Sequence, residues 1–150
     1  MIIYLASDHR GFKLKEAILA DLKGKGFEVM DAGNAVYDES DDFPPFALLA
    51  AHQVVSNPEN SRGIVICGSG IGVSVVANKV HGICCGLCSS SDQAYVGRED
   101  DDINMLAIGS DFISEDDALK MVRVFLTTSF AREERHLRRM QELDVIEKNG

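Results

Sequence analysis

The run Ile64-Val65-Ile66-Cys67-Gly68-Ser69-Gly70-Ile71-Gly72-Val73-Ser74 constrains this chain more than any other stretch. A short apolar segment bounded by turn residues reads as a strand buried on both faces. It ends in a cysteine and opens directly into glycines, which adopt backbone conformations closed to other residues. Helix-forming sequence follows, so the turn presents free backbone N–H groups at a helix start, an arrangement suited to an anion. A thiol beside such a turn is how a chain builds the floor of a reactive site.

The rest of the chain repeats this strand-then-helix unit. Apolar runs at 2–6, 27–30, 63–67, 82–88 and 105–108 read as strands, and each is followed by helical sequence. Leu14, Ile18 and Leu22 recur at helical spacing before Gly24 and Gly26 stop the first helix. Residues 47–55, entered through Pro44-Pro45, and 73–80, 92–98 and 117–126 supply further helices. Alternating elements in this order predict an α/β fold of three layers, Rossmann-like, with a five-stranded parallel sheet covered by helices on both faces. No repeat, low-complexity tract or linker divides the chain, so residues 1–150 are expected to form a single domain.

With 150 residues and 45% hydrophobic content, the chain is long enough for one well-buried core. Its formal net charge of −9 argues against nucleic acid or a membrane surface as partner, since both prefer a basic face. No export signal or apolar span follows Met1, which places the chain in the cytoplasm by expectation. Cys67, Cys84, Cys85 and Cys88 are accordingly read as reduced thiols rather than disulfides. The strand bearing Cys84, Cys85 and Cys88 turns its side chains to alternate faces, which argues for small core residues rather than a metal or iron–sulfur site.

Three segments carry the chemistry: Ser7-Asp8-His9-Arg10-Gly11 after the first strand, Cys67 to Gly72 after the third, and the region from Arg98 to Asn104 before the fifth. All three are expected to converge on one edge of the sheet, where ligands bind in such folds. An Asp-His pair alone is more often a cap or a surface pair, and its place directly after a strand gives it weight. The glycine loop lacks the third glycine of a dinucleotide fingerprint, where Val73 stands, and the lysine of a P-loop, so no nucleotide cofactor is expected. Its N–H groups instead suit a developing oxyanion such as an enediolate, with Cys67 at the lip. The acidic loop between 31 and 42 reads as solvated, although loops leaving strand carboxyl ends can fold over a ligand.

These residues together resemble the ribose-5-phosphate isomerase type B family, which also includes galactose-6-phosphate isomerase subunits. The resemblance covers nearly the whole chain. Its carriers are Ser7-Asp8-His9-Arg10-Gly11-Phe12, Ile66 to Gly72, Ala77-Asn78-Lys79 with Gly82-Ile83, Asn104 with Leu106 and Gly109, and Arg135-His136 followed by Arg139. It implies a metal-independent aldose–ketose isomerase of carbohydrate metabolism without cofactor, interconverting ribose 5-phosphate and ribulose 5-phosphate through an enediol. On that resemblance Cys67 is the base, and the Ser69 hydroxyl with the backbone of Gly68, Gly70, Ile71 and Gly72 holds the enediolate. Asp8 and His9 orient the sugar, while Arg135 and Arg139, four apart on one helical face, grip the phosphate. The last helix, expected at 130–147, carries an apolar stripe of Leu137, Met140, Leu143 and Ile146. The resemblance implies that it contacts a second subunit, in a homodimer or homotetramer with shared active sites.

The chain departs from the family at Asp100 and Asp101, where histidine and asparagine are usual, and at Cys84, where arginine is usual. Three readings stay open: Asp100 opens the sugar ring in the histidine's place, ring opening is spontaneous, or the substrate differs. Asp101 changes a donor-and-acceptor side chain into an acceptor only, altering which hydroxyls it can hold. A hexose 6-phosphate fits the same residues, and a non-catalytic sugar-phosphate-binding protein is the alternative of another class.

Overall fold

The computed structural model describes residues 1–150. Five strands, β1 (Ile2–Ser7), β2 (Glu28–Gly33), β3 (Ser61–Cys67), β4 (Cys85–Leu87) and β5 (Met105–Gly109), form one sheet in the order β2-β1-β3-β5-β4. Every neighbouring pair is parallel. The helices are α1 (Phe12–Gly24), α2 (Phe43–Ser56), α3 (Ile71–Ala77), α4 (Ser91–Asp101), α5 (Glu115–Thr127) and α6 (Glu134–Asn149). This is the expected three-layer α/β architecture, and none of its helices is long and apolar enough to cross a membrane.

Alternation along the strands divides the core. Ile3, Leu5, Ile64, Ile66, Leu106 and Ile108 face α1, α4 and α5. Ala6, Val65, Cys67, Met105 and Ala107 face α2 and α3. The second face uses smaller residues, with Ala47, Ala50 and Ala51 of α2 fully buried, so that helix lies close over the strand ends carrying Cys67. The two faces also separate the clustered thiols, since Cys84 and Cys88 pack in the first cluster and Cys85 in the second.

Several element bounds differ from the sequence expectation, with α4 running on to Asp101 rather than 98 and α5 starting at Glu115 rather than 117. The fourth strand, expected over 82–88, pairs only from Cys85 to Leu87. The Asn104 side chain accepts the Cys84 N–H at 3.0 Å, and Gly82 turns the chain at a φ of 86°, so no ladder forms before Cys85. Helix α3 stops at Ala77 rather than 80, because Asn78 binds the edge of β4 through both its amide groups, at 2.8 and 2.9 Å from the Cys85 backbone. The last helix starts at Glu134 rather than 130, and of its residues only His136 is buried.

Two cations, Lys15 and Arg98, are buried. Lys15 of α1 is fully buried, its Nζ 2.5 Å from Asp31 of β2 and 3.0 Å from Glu16, above the Phe12 ring at 5.2 Å. Removing Asp31 strips this ammonium of its nearer counter-charge while Glu16 remains. Asp31→Ala is therefore expected to cost roughly 3 kcal/mol, whereas an apolar Lys15→Met, Asp31→Leu pair stays close to wild type. Urea denaturation of both variants measures the difference.

Candidate active site

Cys67 ends β3 and is 5% exposed. Its Sγ accepts the Gly70 N–H at 3.1 Å, which fixes the sulfur at the lip of the loop. Gly70 has a φ of 76°, and a Cβ there would lie 2.7 Å from the Gly109 backbone nitrogen. Both the conformation and the close approach of two strand ends thus require glycine. Ser69 Oγ accepts the Ile71 N–H at 3.2 Å, leaving its proton for another acceptor. Gly72 lies against the Phe43 ring, and Ile71 is exposed beside the loop.

The end of β1 lies beside this loop, since Ser7 pairs with Ile66 in the ladder. Asp8 is nearly fully buried and accepts the Gly11 N–H at 3.0 Å, forming the entry turn of α1. His9 Nδ1 stands 2.7 Å from Asp41 Oδ1, and that oxygen also accepts the His9 backbone N–H at 2.9 Å. A carboxylate only accepts, so Nδ1 carries a proton and Nε2 is left for a ligand. The hydrogen bond to Asp41 raises the His9 pKa above its ordinary value. Burial alone would push the Asp41 carboxyl up, but the His9 contacts and the Asn34 amide, at 3.1 Å, hold it below its usual range.

Asp41 and Asn34 belong to the acidic connection, for which the sequence makes solvation the leading expectation and folding over a ligand the second. The chain folds back: Tyr37 packs edge-on against both His9 and Phe12, with ring centroids 6.5 and 5.9 Å away. Nothing in the sequence separates Asp41 from Asp38, which stays exposed and whose carboxylate bonds only Ser40. Ser110, also unmarked by any motif, joins the strand ends: its hydroxyl lies 2.9 Å from the Arg10 carbonyl oxygen and 3.3 Å from that of Cys67.

The third segment is not at this edge. Helix α4 carries the chain back to the amino ends of the strands before β5 starts, so Asp100 and Asp101 lie across the sheet from Cys67, separated by the length of β3, about 20 Å. The expected convergence of all three segments in one chain is therefore incorrect, because residues preceding a parallel strand lie at its amino end. Asp100 Oδ1 stands 3.5 Å from Nε2 of His136, a histidine only 2% exposed, and the Asp101 carbonyl faces the Cys84 thiol at 3.7 Å. Arg135 and Arg139 open onto solvent at the same pole, where Ala131 bonds back to Glu99. Arg135 pairs with Glu133 at 2.9 Å.

Burial raises Cys84, Cys85 and Cys88 alike, Cys88 to about 11, which keeps them protonated near neutral pH. The Cys67 side of the site has what the reaction of a carbonyl compound needs: a sulfur, adjacent N–H groups, a hydroxyl, and an oriented imidazole.

The sequence model of the Ribose/Galactose Isomerase family matches residues 3–143. A probable ribose-5-phosphate isomerase B of Mycoplasma genitalium is 40% identical over 97% of this chain and 95% of its own length. Ribose-5-phosphate isomerase B of Mycolicibacterium paratuberculosis is 40% identical over 99% of this chain and 92% of its own. Among solved structures, ribose-5-phosphate isomerase B from Mycoplasma genitalium with bound ribulose-5-phosphate superposes with a TM-score of 0.95 at 40% identity, covering 99% of this chain and 97% of that one. The Clostridium thermocellum ribose-5-phosphate isomerase B gives 0.94 at 42% identity, covering 99% of both chains. With the family's sequence model matched over residues 3–143 and with fold and chain length in common with these relatives, the chain belongs to the Ribose/Galactose Isomerase family.

Proposed function

We propose that this enzyme interconverts ribose 5-phosphate and ribulose 5-phosphate, with Cys67 as the base. The observation that carries the reading is the Cys67 sulfur held by the Gly70 N–H beside an open glycine loop, in a chain that superposes at 0.95 on a relative crystallised with ribulose-5-phosphate. Cys67 removes the C2 proton of the open-chain aldose as the electron pair moves to the carbonyl oxygen. Loop N–H groups and the Ser69 hydroxyl stabilise the enediolate, and a hydroxyl proton passes from O2 to O1. The thiol then returns its proton to C1, giving the ketose with the thiolate restored. Asp8 and His9 hold the sugar hydroxyls and direct the phosphorylated end.

The phosphate grip and the ring-opening group come, on this reading, from a second copy of the chain. Arg135, Arg139, Asp100 and Asp101 cannot reach Cys67 within one chain, and Leu137, Leu143 and Ile146 stand exposed on the same helix. A homodimer or homotetramer that covers this face brings the two poles together. Asp100 then accepts the anomeric hydroxyl proton and delivers it to the ring oxygen as the C1–O4 bond breaks, which leaves the open-chain aldose and restores the carboxylate. Four unpaired cysteines suit a reducing compartment, which favours the cytoplasm.

Three measurements test these assignments. Purified wild type is expected to convert ribose 5-phosphate in preference to a panel of hexose 6-phosphates, and Cys67→Ala to lose most of kcat while still binding the sugar phosphate. Wild-type binding without any turnover would favour the non-catalytic alternative. Co-expressing Cys67→Ala with an Arg135→Ala, Arg139→Ala chain should restore about a quarter of wild-type activity, because random pairing makes half the dimers mixed and each mixed dimer has one intact site. No recovery in purified mixed dimers would place the arginines and Cys67 in the same chain's site.

The third measurement is a pH profile. Below its raised pKa, His9 is cationic and attracts the phosphate, which is a dianion above about pH 6. Affinity should therefore fall as pH rises through the His9 pKa. Asp41→Ala removes the hydrogen bond that raises it, so the same fall should occur at lower pH, read from KM against pH.

A further inference from the structure

The mouth of the site is acidic. Five connections leave the carboxyl ends of the strands, at 8–11, 34–42, 68–70, 88–90 and 110–114, and they carry Asp8, Asp38, Glu39, Asp41, Asp42 and Asp111. Among all their residues there is one Lys or Arg, Arg10. A phosphate dianion approaching Cys67 from this chain's side thus meets a single permanent cation in a field that otherwise repels it.

Arg10 is also held in place. Its guanidinium lies over Gly68, where any side chain would run into it, so the first residue of the Cys67 loop is bare under the arginine. Nη2 donates to the Asp111 carboxylate, and the Asp111 backbone N–H donates to the Gly68 carbonyl at 3.0 Å. The Ser110 hydroxyl fixes the other end of the residue at the Arg10 carbonyl. Asp111 is the only side chain that accepts from the guanidinium, so Nε and Nη1 remain free to donate. The Arg10 side chain is 56% exposed, and an ion pair so exposed contributes little to stability. The arrangement aims a forked donor instead.

We propose that Arg10 is a substrate-binding residue whose guanidinium, tethered by Asp111 above Gly68, grips the phosphate of the sugar phosphate. The proposal rests on the isomerase reading above and adds a cation from the same chain as Cys67 to those of α6. Its place at the exposed rim suits the end of the substrate remote from the reacting carbons, and its free edge matches phosphate oxygens better than an ammonium would.

The test is steady-state kinetics with ribose 5-phosphate, together with calorimetric binding of inorganic phosphate, for wild type, Arg10→Ala and Arg10→Lys. Losing charge-assisted hydrogen bonds is expected to raise KM and the phosphate Kd together, by about ten- to a hundredfold in Arg10→Ala, with kcat nearly unchanged. Arg10→Lys retains the charge without the forked donor, and should show a smaller rise in both. An unchanged phosphate Kd in a folded Arg10→Ala protein would overturn the proposal, as would a loss confined to kcat, which would make Arg10 a support of the Cys67 loop. If Arg10→Ala does not fold, a phosphate Kd and KM in Arg10→Lys equal to wild type would overturn it equally. A wild type that turns over no sugar phosphate would defeat the isomerase reading itself, and the phosphate Kd of the variants would still decide the role of Arg10.

Discussion

Parallel strands cannot be joined by a tight turn, and this chain is organised by that constraint. Each strand must begin at one edge of the sheet and end at the other, with a helix returning the chain across a face. The connections therefore sort themselves into two groups about 20 Å apart. Those leaving the strands hold Cys67, Asp8, His9 and Arg10, and those entering them hold Asp100 and Asp101, with Arg135 and Arg139 nearby on α6. No loop movement within a packed domain closes that distance. Division of the candidate residues between two poles is a direct result of the topology, and association of two copies is the simplest way to join them.

At the pole carrying Cys67, position is set by backbone groups more than by side-chain packing. Gly70 and Gly109 bring the ends of β3 and β5 together, and the Ser110 hydroxyl lies between the carbonyls of Arg10 and Cys67, tying in the end of β1. Asp41 makes the corresponding link to the connection after β2, since one carboxylate oxygen receives both the ring and the backbone of His9. These contacts are polar, short in reach and made where the core ends. They hold the reactive groups against a sheet whose own residues are apolar and close-packed.

Much of this was legible in the sequence, for a physical reason. Buried parallel strands need continuous apolar runs, and Ile64 to Cys67 or Met105 to Ile108 have no other stable environment. The glycine loop was legible because its conformation leaves no alternative residue. The short edge strand was not, because its limits depend on Asn78 and Asn104, distant side chains that bond the backbone at Cys84 and Cys85. Asp41 was hidden for a related reason, as one carboxylate among several in an acidic segment, distinguished only by where the loop folds. The resemblance carried Asp100 and the two arginines, but spacing along one chain could not reveal that they face away from Cys67.

Helix α6 adds a consequence for how such a protein behaves when dilute. Only His136 is buried among its residues, so a lone chain holds this helix by one imidazole and a few rim contacts, including Glu147 on the Gly82 N–H at 2.7 Å. On the assembly proposed above, most of the order in α6 comes from the neighbouring copy. Scarcity of the protein would then loosen the helix and dismantle the phosphate grip at the same moment, while the sheet stays folded. On that assembly, catalytic competence would be a property of concentration, with each copy licensing the other.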